Sequence, residues 1–215
     1  IDFGSAATLN TITKFPYVQS RFYRAPEIVL GFQYTTQVDV WSLGCIIAEL
    51  FIGLPLFPGG SQGELLHRII NAIGSPPSEM LYRSQQTKRY YDIFDEKTTA
   101  SDQSSAKQPP LLSTHSHHSA AKGTASTTNP EPSATNARRT FTFKVQEFNT
   151  PRQYVAGRLL ADIIGLYPYR IHLPIEQLIM ERATRAKLLH LLLGCLQWDP
   201  SLRYTPYMAI NHPFF

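Results

Sequence analysis

The chain has 215 residues, of which 43% are hydrophobic and 12% aromatic, a composition typical of one folded domain with a buried core. Its net charge of +4 is too small to predict nucleic-acid binding by itself, and its longest apolar run is too short to favour a membrane span. The two cysteines, Cys45 and Cys195, lie in apolar stretches, so free buried thiols and a reducing compartment, cytoplasmic or nuclear, are expected.

Residues 1–30 show no sustained hydrophobic period and are predicted to be loop. Val38–Phe51 is apolar on nearly every face, which predicts a core helix enclosed by other helices. Thr36 and Asp39 are expected to cap its start, and Gly53 is expected to end it.

Three more helices are predicted further along the chain. Leucine and isoleucine recur at helical spacing over Gly63–Ile73 and again over Ile175–Leu196. A short last helix is predicted after Thr205-Pro206, since proline suits the first turn of a helix.

Residues 98–139 have a different composition, rich in Ser, Thr, Ala, Pro and His and without an aromatic residue. Such a segment cannot bury enough apolar surface to offset its ordering entropy, so a disordered insertion is predicted. The flanking runs "RYYDIF" and "TFTFKV" are aromatic-rich, and we consider that they pair as a two-stranded ribbon. The chain would then divide into residues 1–97, the insertion 98–139, and residues 140–215.

Three histidines of the insertion, His115, His117 and His118, raise the question of a metal site. No cysteine or carboxylate cluster accompanies them, so solvated low-complexity sequence is favoured over a metal site. The serines and threonines around them are better candidates for phosphorylation or for docking.

Four short motifs occur in order along the chain. Asp2-Phe3-Gly4 offers a carboxylate that can hold Mg²⁺ against nucleotide phosphates, beside a glycine that frees the backbone. Alone this triplet is a weak signal, but Ala25-Pro26-Glu27 follows it, as at the two ends of a kinase activation loop. "DVWSLGC" and "DPSLR" come next, and it is the ordered set that carries the signal.

On these motifs the sequence resembles the protein kinases. "QSRFYRAPEIVLG", "DVWSLGCIIAELFIGLPLFPG" and "DPSLRYTPYMAINHPFF" are similar to the group of the cyclin-dependent and MAP kinases. "IDFGS" with "YVQSRFYRAPE" is similar to the dual-specificity tyrosine-regulated kinases and their Yak-type and homeodomain-interacting relatives. The resemblance covers nearly the whole chain outside the insertion. It implies a mainly α fold, the C-terminal lobe of the two-lobed α+β kinase fold, beginning at Asp-Phe-Gly and with the N-terminal lobe absent.

The resemblance assigns a role to Tyr17 and to two arginines that follow it. In that family a tyrosine at this position is phosphorylated, usually by the kinase itself. Arg21 and Arg24 would then clamp the phosphate through bidentate, charge-assisted hydrogen bonds. The alternative is that both arginines pair with surface carboxylates and that Tyr17 merely packs. Where relatives often carry Tyr-x-Tyr, this chain has Phe15-Pro16-Tyr17, so Tyr17 is the one phosphosite of that pair.

Four more residues receive roles from the resemblance. Ser20 matches the residue that hydrogen-bonds the catalytic aspartate and lysine beside the acceptor hydroxyl; without the family match it is an ordinary loop serine. Glu27 and Arg203 are expected to form a buried ion pair. Asp39 is expected to be paired and to anchor the backbone of the catalytic loop, a role compatible with helix capping.

The function implied is that of a serine/threonine, or dual-specificity, protein kinase, which transfers the γ-phosphate of ATP to protein substrates. ATP and Mg²⁺ are the implied cofactors, with Asp2 as the metal- and nucleotide-binding residue. Proteins with Ser or Thr acceptors are the expected partners, without nucleic acid or membrane. The complete kinase is expected to be a monomer.

The catalytic aspartate and lysine are expected upstream of Ile1, so the isolated 215 residues are expected to be inactive and unstable or sticky. The alternative, from another class, is a non-catalytic pseudokinase or a truncated interaction module. Intact Asp2-Phe3-Gly4, Tyr17 and Ser20 favour an active parent, since a pure scaffold needs none of them.

Overall fold

The computed structural model describes Gly4, Ala6, Thr8 and the ranges 17–95, 139–144, 159–169 and 173–215. Two compact units are found, residues 1–92 with 141–215, and residues 93–140. The predictions for Asp2, for the three histidines of the insertion and for nearly all of the insertion lie outside the described residues. Arg139, the last residue of the predicted insertion, is described and begins a strand.

The described residues form eight α-helices, two 3-10 turns and one two-stranded sheet, so this part of the chain is mainly helical, as predicted. None of the described helices is long and apolar enough to cross a membrane. The helices are α1 (Pro26–Val29), α2 (Gln37–Ile52), α3 (Gln62–Ile73), α4 (Ser78–Arg83), α5 (Thr87–Tyr90), α6 (Leu160–Gly165), α7 (Ile175–Cys195) and α8 (Pro206–Ile210); the strands are β1 (Tyr91–Asp95) and β2 (Arg139–Phe143); the 3-10 turns are Arg21–Tyr23 and Pro200–Leu202.

Helices α2 and α7 pack together at the centre of the larger unit, and α6 packs on α7. Trp41 of α2 is fully buried and stacks on Phe57 with ring centroids 5.9 Å apart. Gly44 lies where α2 meets the end of α7, because a Cβ at that position would be 2.9 Å from the Cβ of Cys195. A larger residue there would push the two helices apart.

The prediction that α2 is enclosed on nearly every face is wrong for one of its sides. Leu43, Ile46 and Leu50 are 42%, 44% and 80% exposed. Their spacing of three and four residues places them on one face of the helix. The apolar run therefore forms two faces of α2: one packs in the core, and the other is an exposed apolar stripe.

The ends of α2 differ in how well they match the prediction. The Thr36 side chain makes no capping hydrogen bond, because its backbone is already helical, with φ −56° and ψ −16°. Gly53 ends the helix as predicted: it adopts φ +79° and donates its N–H to the Glu49 carbonyl at 2.7 Å.

Strands β1 and β2 pair in a two-stranded sheet, the arrangement considered for the two aromatic runs. Within the larger unit, Phe141 meets Tyr82 edge-on with ring centroids 4.9 Å apart, and Phe143 meets Tyr91 in the same way at 5.3 Å. Aromatic side chains, rather than the two strands alone, therefore stabilise this end of the ribbon.

Both cysteines are buried free thiols, as predicted. Burial raises the pKa of the Cys195 thiol to about 11, and it raises the pKa of Cys45 further. Neither side chain is suited to thiolate chemistry at neutral pH.

Glu27 of α1 and Arg203, which were expected to pair, are in contact in the core. Two hydrogen bonds of 2.6 Å join the guanidinium to the carboxylate, and both side chains are almost fully buried. Arg203 also donates to the carbonyls of Gln37 at 3.0 Å and Gln197 at 2.8 Å. The pair therefore connects α1 and the start of α2 with the turn that follows α7.

His212, near the end of the chain, is buried against His190 of α7. Its Nε2 lies 2.7 Å from Nδ1 of His190, and its Nδ1 accepts the N–H of Phe214 at 3.1 Å. Both ring nitrogens are therefore engaged in the neutral form. Burial, and then the neighbouring His190, lowers the pKa of His212 below its ordinary value of 6.5.

Removing the charge of Glu27 is expected to destabilise the fold strongly. In Glu27→Gln the Arg203 guanidinium stays buried without a counter-charge, which lowers the free energy of unfolding by about 3–5 kcal/mol. Urea denaturation measures the loss. The control is Asp95→Asn, which breaks an exposed pair with Arg139 and should cost about 1 kcal/mol or less. Equal losses in the two variants would contradict the prediction.

Stability is expected to decrease as the pH falls below about 6.5, because the unfolded chain takes up a proton that folded His212 resists. His67, whose pKa is also lowered by burial, makes the free energy of unfolding decrease with falling pH in the same way. In His212→Asn, which keeps an acceptor near the position of Nδ1, the free energy of unfolding should depend less steeply on pH. Urea denaturation between about pH 5 and pH 8 tests this. An unchanged slope would show that His212 does not contribute.

Candidate functional site

The loop of residues 17–25 lies against the first turns of α2. The side-chain amide of Gln19 donates to the Val38 carbonyl at 2.9 Å and to Ser42 Oγ at 2.7 Å. Ser42 in turn donates to the Tyr23 carbonyl at 2.9 Å. The 3-10 turn Arg21–Tyr23 of this loop is therefore bonded to α2 on both sides, through Gln19 before it and through the Tyr23 carbonyl at its end.

Arg24 is fully buried in this loop. Its Nε and Nη2 donate to the carbonyls of Val18 and Gln19, both at 2.9 Å. Its Nη1 is buried and has no hydrogen-bond partner among the described residues. The guanidinium carbon lies 4.1 Å from the centroid of the Tyr17 ring. A buried cation with a free donor is thus stacked on a tyrosine ring.

Arg21 is the second cation at the same tyrosine. Its Nη2 lies 3.4 Å from Tyr17 Oη, and its Nη1 donates to the Gly60 carbonyl. Gly60 also donates its N–H to the Glu64 carboxylate of α3 at 2.8 Å, which holds that carbonyl in place. In the described part of the chain neither Arg21 nor Arg24 pairs with a carboxylate, so the surface ion pairs weighed as an alternative are not found there.

Tyr17 is 65% exposed, so its hydroxyl is accessible to another molecule. The guanidinium of Arg24, stacked on the ring, and then that of Arg21, near the hydroxyl, lower the pKa of the Tyr17 phenol below its ordinary value of 10.0. The same cations would favour any anionic group attached to this oxygen. Charge and geometry therefore both make this oxygen a suitable place for negative charge.

Ser20 is exposed between the anchored Gln19 and the 3-10 turn. Its carbonyl accepts the Tyr23 N–H at 3.0 Å, and its side chain makes no capping hydrogen bond. The Tyr23 hydroxyl donates to Glu49 of α2 at 2.8 Å. Ser20 thus provides an exposed hydroxyl on a turn that is fixed to α2.

Asp39 is exposed in the first turn of α2, and its carboxylate has no partner within the described ranges. The expectation that it is paired is not met there. Asp39, Leu43, Ile46 and Leu50 follow one another at intervals of four, three and four residues, so they lie on one face. This face, called the α2 stripe, combines one carboxylate with three exposed apolar side chains.

A cleft of about 410 Å³ opens beside Tyr17. Phe32 and Tyr34 from the loop after α1 form one part of its lining, and Gln62 and Arg89 form another. The volume is sufficient for several side chains of a polypeptide. Because Tyr17 also lines the cleft, a molecule bound there would touch the cationic site.

Three contributors to the site have no signal in the sequence. Gln19, Ser42 and Gly60 act through contacts with residues distant in the chain, and no spacing marks them. The one available hint for Gln19 is its position directly before Ser20. The described residues contain no group of three or more His, Cys, Asp or Glu that could hold a metal, and Asp2 lies outside them.

Comparisons with known proteins agree with the resemblance. The family model of the protein kinase domain matches residues 1–215. The chain is 37% identical over 218 residues to the dual specificity protein kinase YAK1 homolog of Arabidopsis thaliana. It is 38% identical over 220 residues to the dual specificity protein kinase YAK1 of Saccharomyces cerevisiae, and 32% identical over 214 residues to homeodomain-interacting protein kinase 2 of Mus musculus.

Each of these matches covers 100% of the chain, but only 20%, 23% and 15% of the respective relatives. The chain thus spans about a fifth of the length of the curated relatives it matches. The family match extends over both the N-terminal motifs and the C-terminal motif that first indicated it. The chain belongs to the protein kinase family, in the branch that holds the Yak-type and homeodomain-interacting kinases.

Proposed function

We propose that this chain forms the substrate-binding part of a protein kinase that transfers the γ-phosphate of ATP to serine or threonine of protein substrates. The observation that carries the proposal is the presence of two arginines, without a described acidic partner, at an exposed tyrosine. A structural arginine in this fold is matched by a carboxylate, as Arg203 is by Glu27. A site prepared for phosphotyrosine instead holds cations before the anion arrives.

Phosphorylation of Tyr17 is the proposed activating step. A phosphotyrosine carries nearly two negative charges and three acceptor oxygens. The Arg24 guanidinium carbon lies 4.1 Å from the centroid of the Tyr17 ring, and Nη2 of Arg21 lies 3.4 Å from Tyr17 Oη, so both guanidinium groups are near the position of the phosphate. Nη1 of Arg24 has no described partner and is available as a donor. Since Arg24 also bonds to loop 17–25 and Arg21 to Gly60, the phosphate would connect the loop with the segment before α3.

Ser20 is proposed to lie beside the acceptor hydroxyl of the substrate, where it would support the catalytic aspartate and lysine of the complete kinase. Its exposure, and its place on a turn bonded at both ends to α2, favour this role. A serine or threonine of a protein substrate would be the acceptor.

The substrate residue after the acceptor is proposed to be proline. The Gln19 carbonyl accepts a hydrogen bond from Arg24 at 2.9 Å, so it is not free for a backbone N–H of the substrate. A residue with an N–H would lose its hydrogen bond to water without a replacement, whereas proline has no N–H to lose. When the Arg21 side chain turns toward the phosphate, the binding site for the residue after the acceptor would become a shallow one that suits proline.

ATP and Mg²⁺ are the proposed cofactors, since phosphoryl transfer by protein kinases in general uses both. Asp2 is the proposed ligand of the metal and the nucleotide. The described residues supply the other half of the reaction, which is the binding and orientation of the acceptor peptide.

Asp39 is proposed to anchor the backbone of the catalytic loop, which would lie along the α2 stripe. A carboxylate can accept backbone N–H groups, and three exposed apolar side chains are expected to be covered. One polypeptide segment placed on the stripe would satisfy both requirements.

A non-catalytic binding module is the second candidate function, and the same stripe favours it. A partner protein could cover Leu43, Ile46 and Leu50 without any phosphoryl transfer. The cations at Tyr17 favour the kinase, because a binding surface on α2 does not require a phosphate clamp elsewhere.

Tyr17 is expected to be phosphorylated in the active full-length protein, and Tyr17→Phe is expected to lower kcat/KM at least about tenfold. The loss follows because the phosphate no longer bonds to Arg21 and Arg24, and tenfold corresponds to about 1.4 kcal/mol, close to one charge-assisted hydrogen bond. Mass spectrometry locates the phosphate, and a serine-peptide assay gives the rate. Tyr207→Phe, at an exposed tyrosine of α8, is the control and should change nothing. Full activity with unmodified Tyr17 would refute the activating step.

Asp39→Asn in the full-length protein is expected to lower kcat at least about tenfold and to leave KM for the peptide within about twofold. Asparagine keeps the size of the side chain but removes the charge that would hold the catalytic loop. Steady-state kinetics measure both constants. Asp162→Asn, at an exposed aspartate of α6, is the matched control. Equal activity of Asp39→Asn and the unmodified protein would refute the anchoring role, and absence of activity in the unmodified protein would favour the binding module.

A further inference from the structure

A second cleft in the larger unit, of about 400 Å³, has no part in the proposed function, and Tyr17 does not line it. Its lining comes from the loop after α1, the first residue of α2, the segment from Pro77 into α4, and the 3-10 turn Pro200–Leu202. The volume lies within the range of ligand-binding sites. The lining joins an apolar part to a charged part, and each restricts what can bind.

The apolar part of the lining is held in position. Phe32 and Met80 are partly buried and pack against the core. Pro77 lies at the start of α4, and Pro200 begins the 3-10 turn, so both have fixed backbone positions. The aliphatic or aromatic part of a ligand would lose contact with water on this surface, which favours binding.

The charged part of the lining has an excess of negative charge. Glu79 and Asp199 each supply a carboxylate, and Arg83 supplies one guanidinium. Glu27 also lines the cleft, but Arg203 neutralises it through two hydrogen bonds of 2.6 Å. Two carboxylates against one guanidinium leave one negative charge in the lining without a match. Among the described residues neither Glu79 nor Arg83 forms an ion pair that would change this balance.

Asp199 is ionised and fixed in direction. Its Oδ1 accepts the Ser201 hydroxyl at 2.7 Å and the Ser201 N–H at 2.8 Å. The hydroxyl, then the N–H, and then the charges of Arg203 and Arg83 lower the pKa of the Asp199 carboxyl below its ordinary value of 3.8. A carboxylate that is already oriented loses little freedom when a ligand binds to it.

Gln37 adds a hydrogen-bond acceptor that lacks a donor. Its Oε1 is buried and has no hydrogen-bond partner among the described residues. Such an acceptor is unfavourable in a folded protein, and a ligand that carries N–H groups would satisfy it. Gln37 lines the cleft, and the terminal torsion of a glutamine turns at little cost, so its oxygen can meet a donor bound there.

A guanidinium group has the properties that this lining requires. It carries the positive charge that balances the cleft, and it presents several N–H donors in one plane to Asp199 and Gln37. Its methylene stem, together with an apolar neighbour in the ligand, would cover Phe32 and Met80. A phosphate or carboxylate would instead add negative charge beside Asp199, which is unfavourable.

We propose that this cleft binds a segment of a partner protein in which an arginine stands next to an apolar residue. Glu79, Arg83 and Asp199 lie outside the residues proposed to bind the phosphate or the acceptor, so the site does not depend on the proposed kinase activity. It gives the chain a protein-binding surface separate from the loop that carries Tyr17 and Ser20.

The test titrates the full-length protein with a peptide of sequence Gly-Leu-Arg-Phe-Gly, blocked at both ends. A second peptide replaces arginine with citrulline, which has a similar shape without the charge. NMR signals of labelled methionine methyl groups locate the binding and give the Kd. The Met80 signal, identified with Met80→Leu, is expected to shift, whereas those of Met180 and Met208, 69% and 51% exposed elsewhere, should not. The arginine peptide is expected to bind at least about threefold more tightly than the citrulline peptide.

Two variants of opposite sign test the charge of the ligand. Asp199→Asn, which keeps a side chain suited to the start of the turn, should weaken binding of the arginine peptide at least about twofold. Arg83→Gln should strengthen it by about the same factor, because it removes the competing cation. The matched controls are Asp162→Asn in α6 and Arg182→Gln in α7, both exposed, and they should leave the Kd unchanged.

Gln37→Met tests the acceptor without changing the charge. It should weaken both peptides, since citrulline also has N–H donors, whereas Gln177→Met, at an exposed glutamine in the first turn of α7, should weaken neither.

Three results would overturn the proposal. The first is no shift of the Met80 signal with either peptide, and the second is equal binding of the two peptides. The third is weaker binding in Arg83→Gln with no change in Asp199→Asn, which would assign the cleft to an anionic ligand. The titration contains no ATP, so its outcome is separate from that of the proposed kinase function.

Discussion

The buried pair of Glu27 and Arg203 is the interaction on which the rest of the described structure depends. Its two hydrogen bonds of 2.6 Å join residues that are 176 positions apart in the chain. Because Arg203 also bonds to the carbonyls of Gln37 and Gln197, one guanidinium fixes the start of α2 and the end of α7 relative to α1. Loop 17–25 leads directly into α1, so this pair fixes the end of the loop, and the bonds of Gln19 and Ser42 then hold the loop on α2. Removing either partner would leave the other charge buried without a counter-ion, which is strongly destabilising. The pair therefore favours this one arrangement of the three segments.

Two buried arginines of the larger unit, Arg24 in loop 17–25 and Arg203 after α7, differ in whether a carboxylate neutralises them. Arg203 is neutralised by Glu27 and surrounded by carbonyl acceptors. Arg24 bonds to two carbonyls, stacks on Tyr17, and keeps a buried Nη1 without a partner among the described residues. Burial of an unmatched cation is unfavourable, and an anion added at Tyr17 would relieve it. This difference is the physical basis for treating Arg203 as structural and for proposing that Arg24 binds a phosphate on Tyr17.

Helix α2 organises the site through two faces with different roles. Its inner face packs Trp41 into the core and approaches α7 closely at Gly44, which keeps the helix rigid. Its N-terminal half also presents the Val38 carbonyl and Ser42 Oγ, which bond to Gln19. The α2 stripe occupies another face, where Asp39 and three apolar side chains are exposed. A rigid central helix can therefore hold the loop that carries Tyr17 and Ser20 and offer an exposed apolar surface at the same time.

The sequence by itself determined the long helices, because the hydrophobic spacing predicts α2, α3 and α7 to within one residue of their observed bounds. Its ordered motifs also indicated the family, the pairing of Glu27 with Arg203, and the cluster of Tyr17 with Arg21 and Arg24. Only the tertiary structure decided which face of α2 is exposed, since an all-round apolar run carries no information about which neighbours cover it. It also revealed Gln19, whose partners Val38 and Ser42 lie 19 and 23 residues away and follow no period. The local hydrophobic spacing determines which residues can form a helix with a buried face. Single long-range hydrogen bonds depend instead on where distant segments meet in the fold.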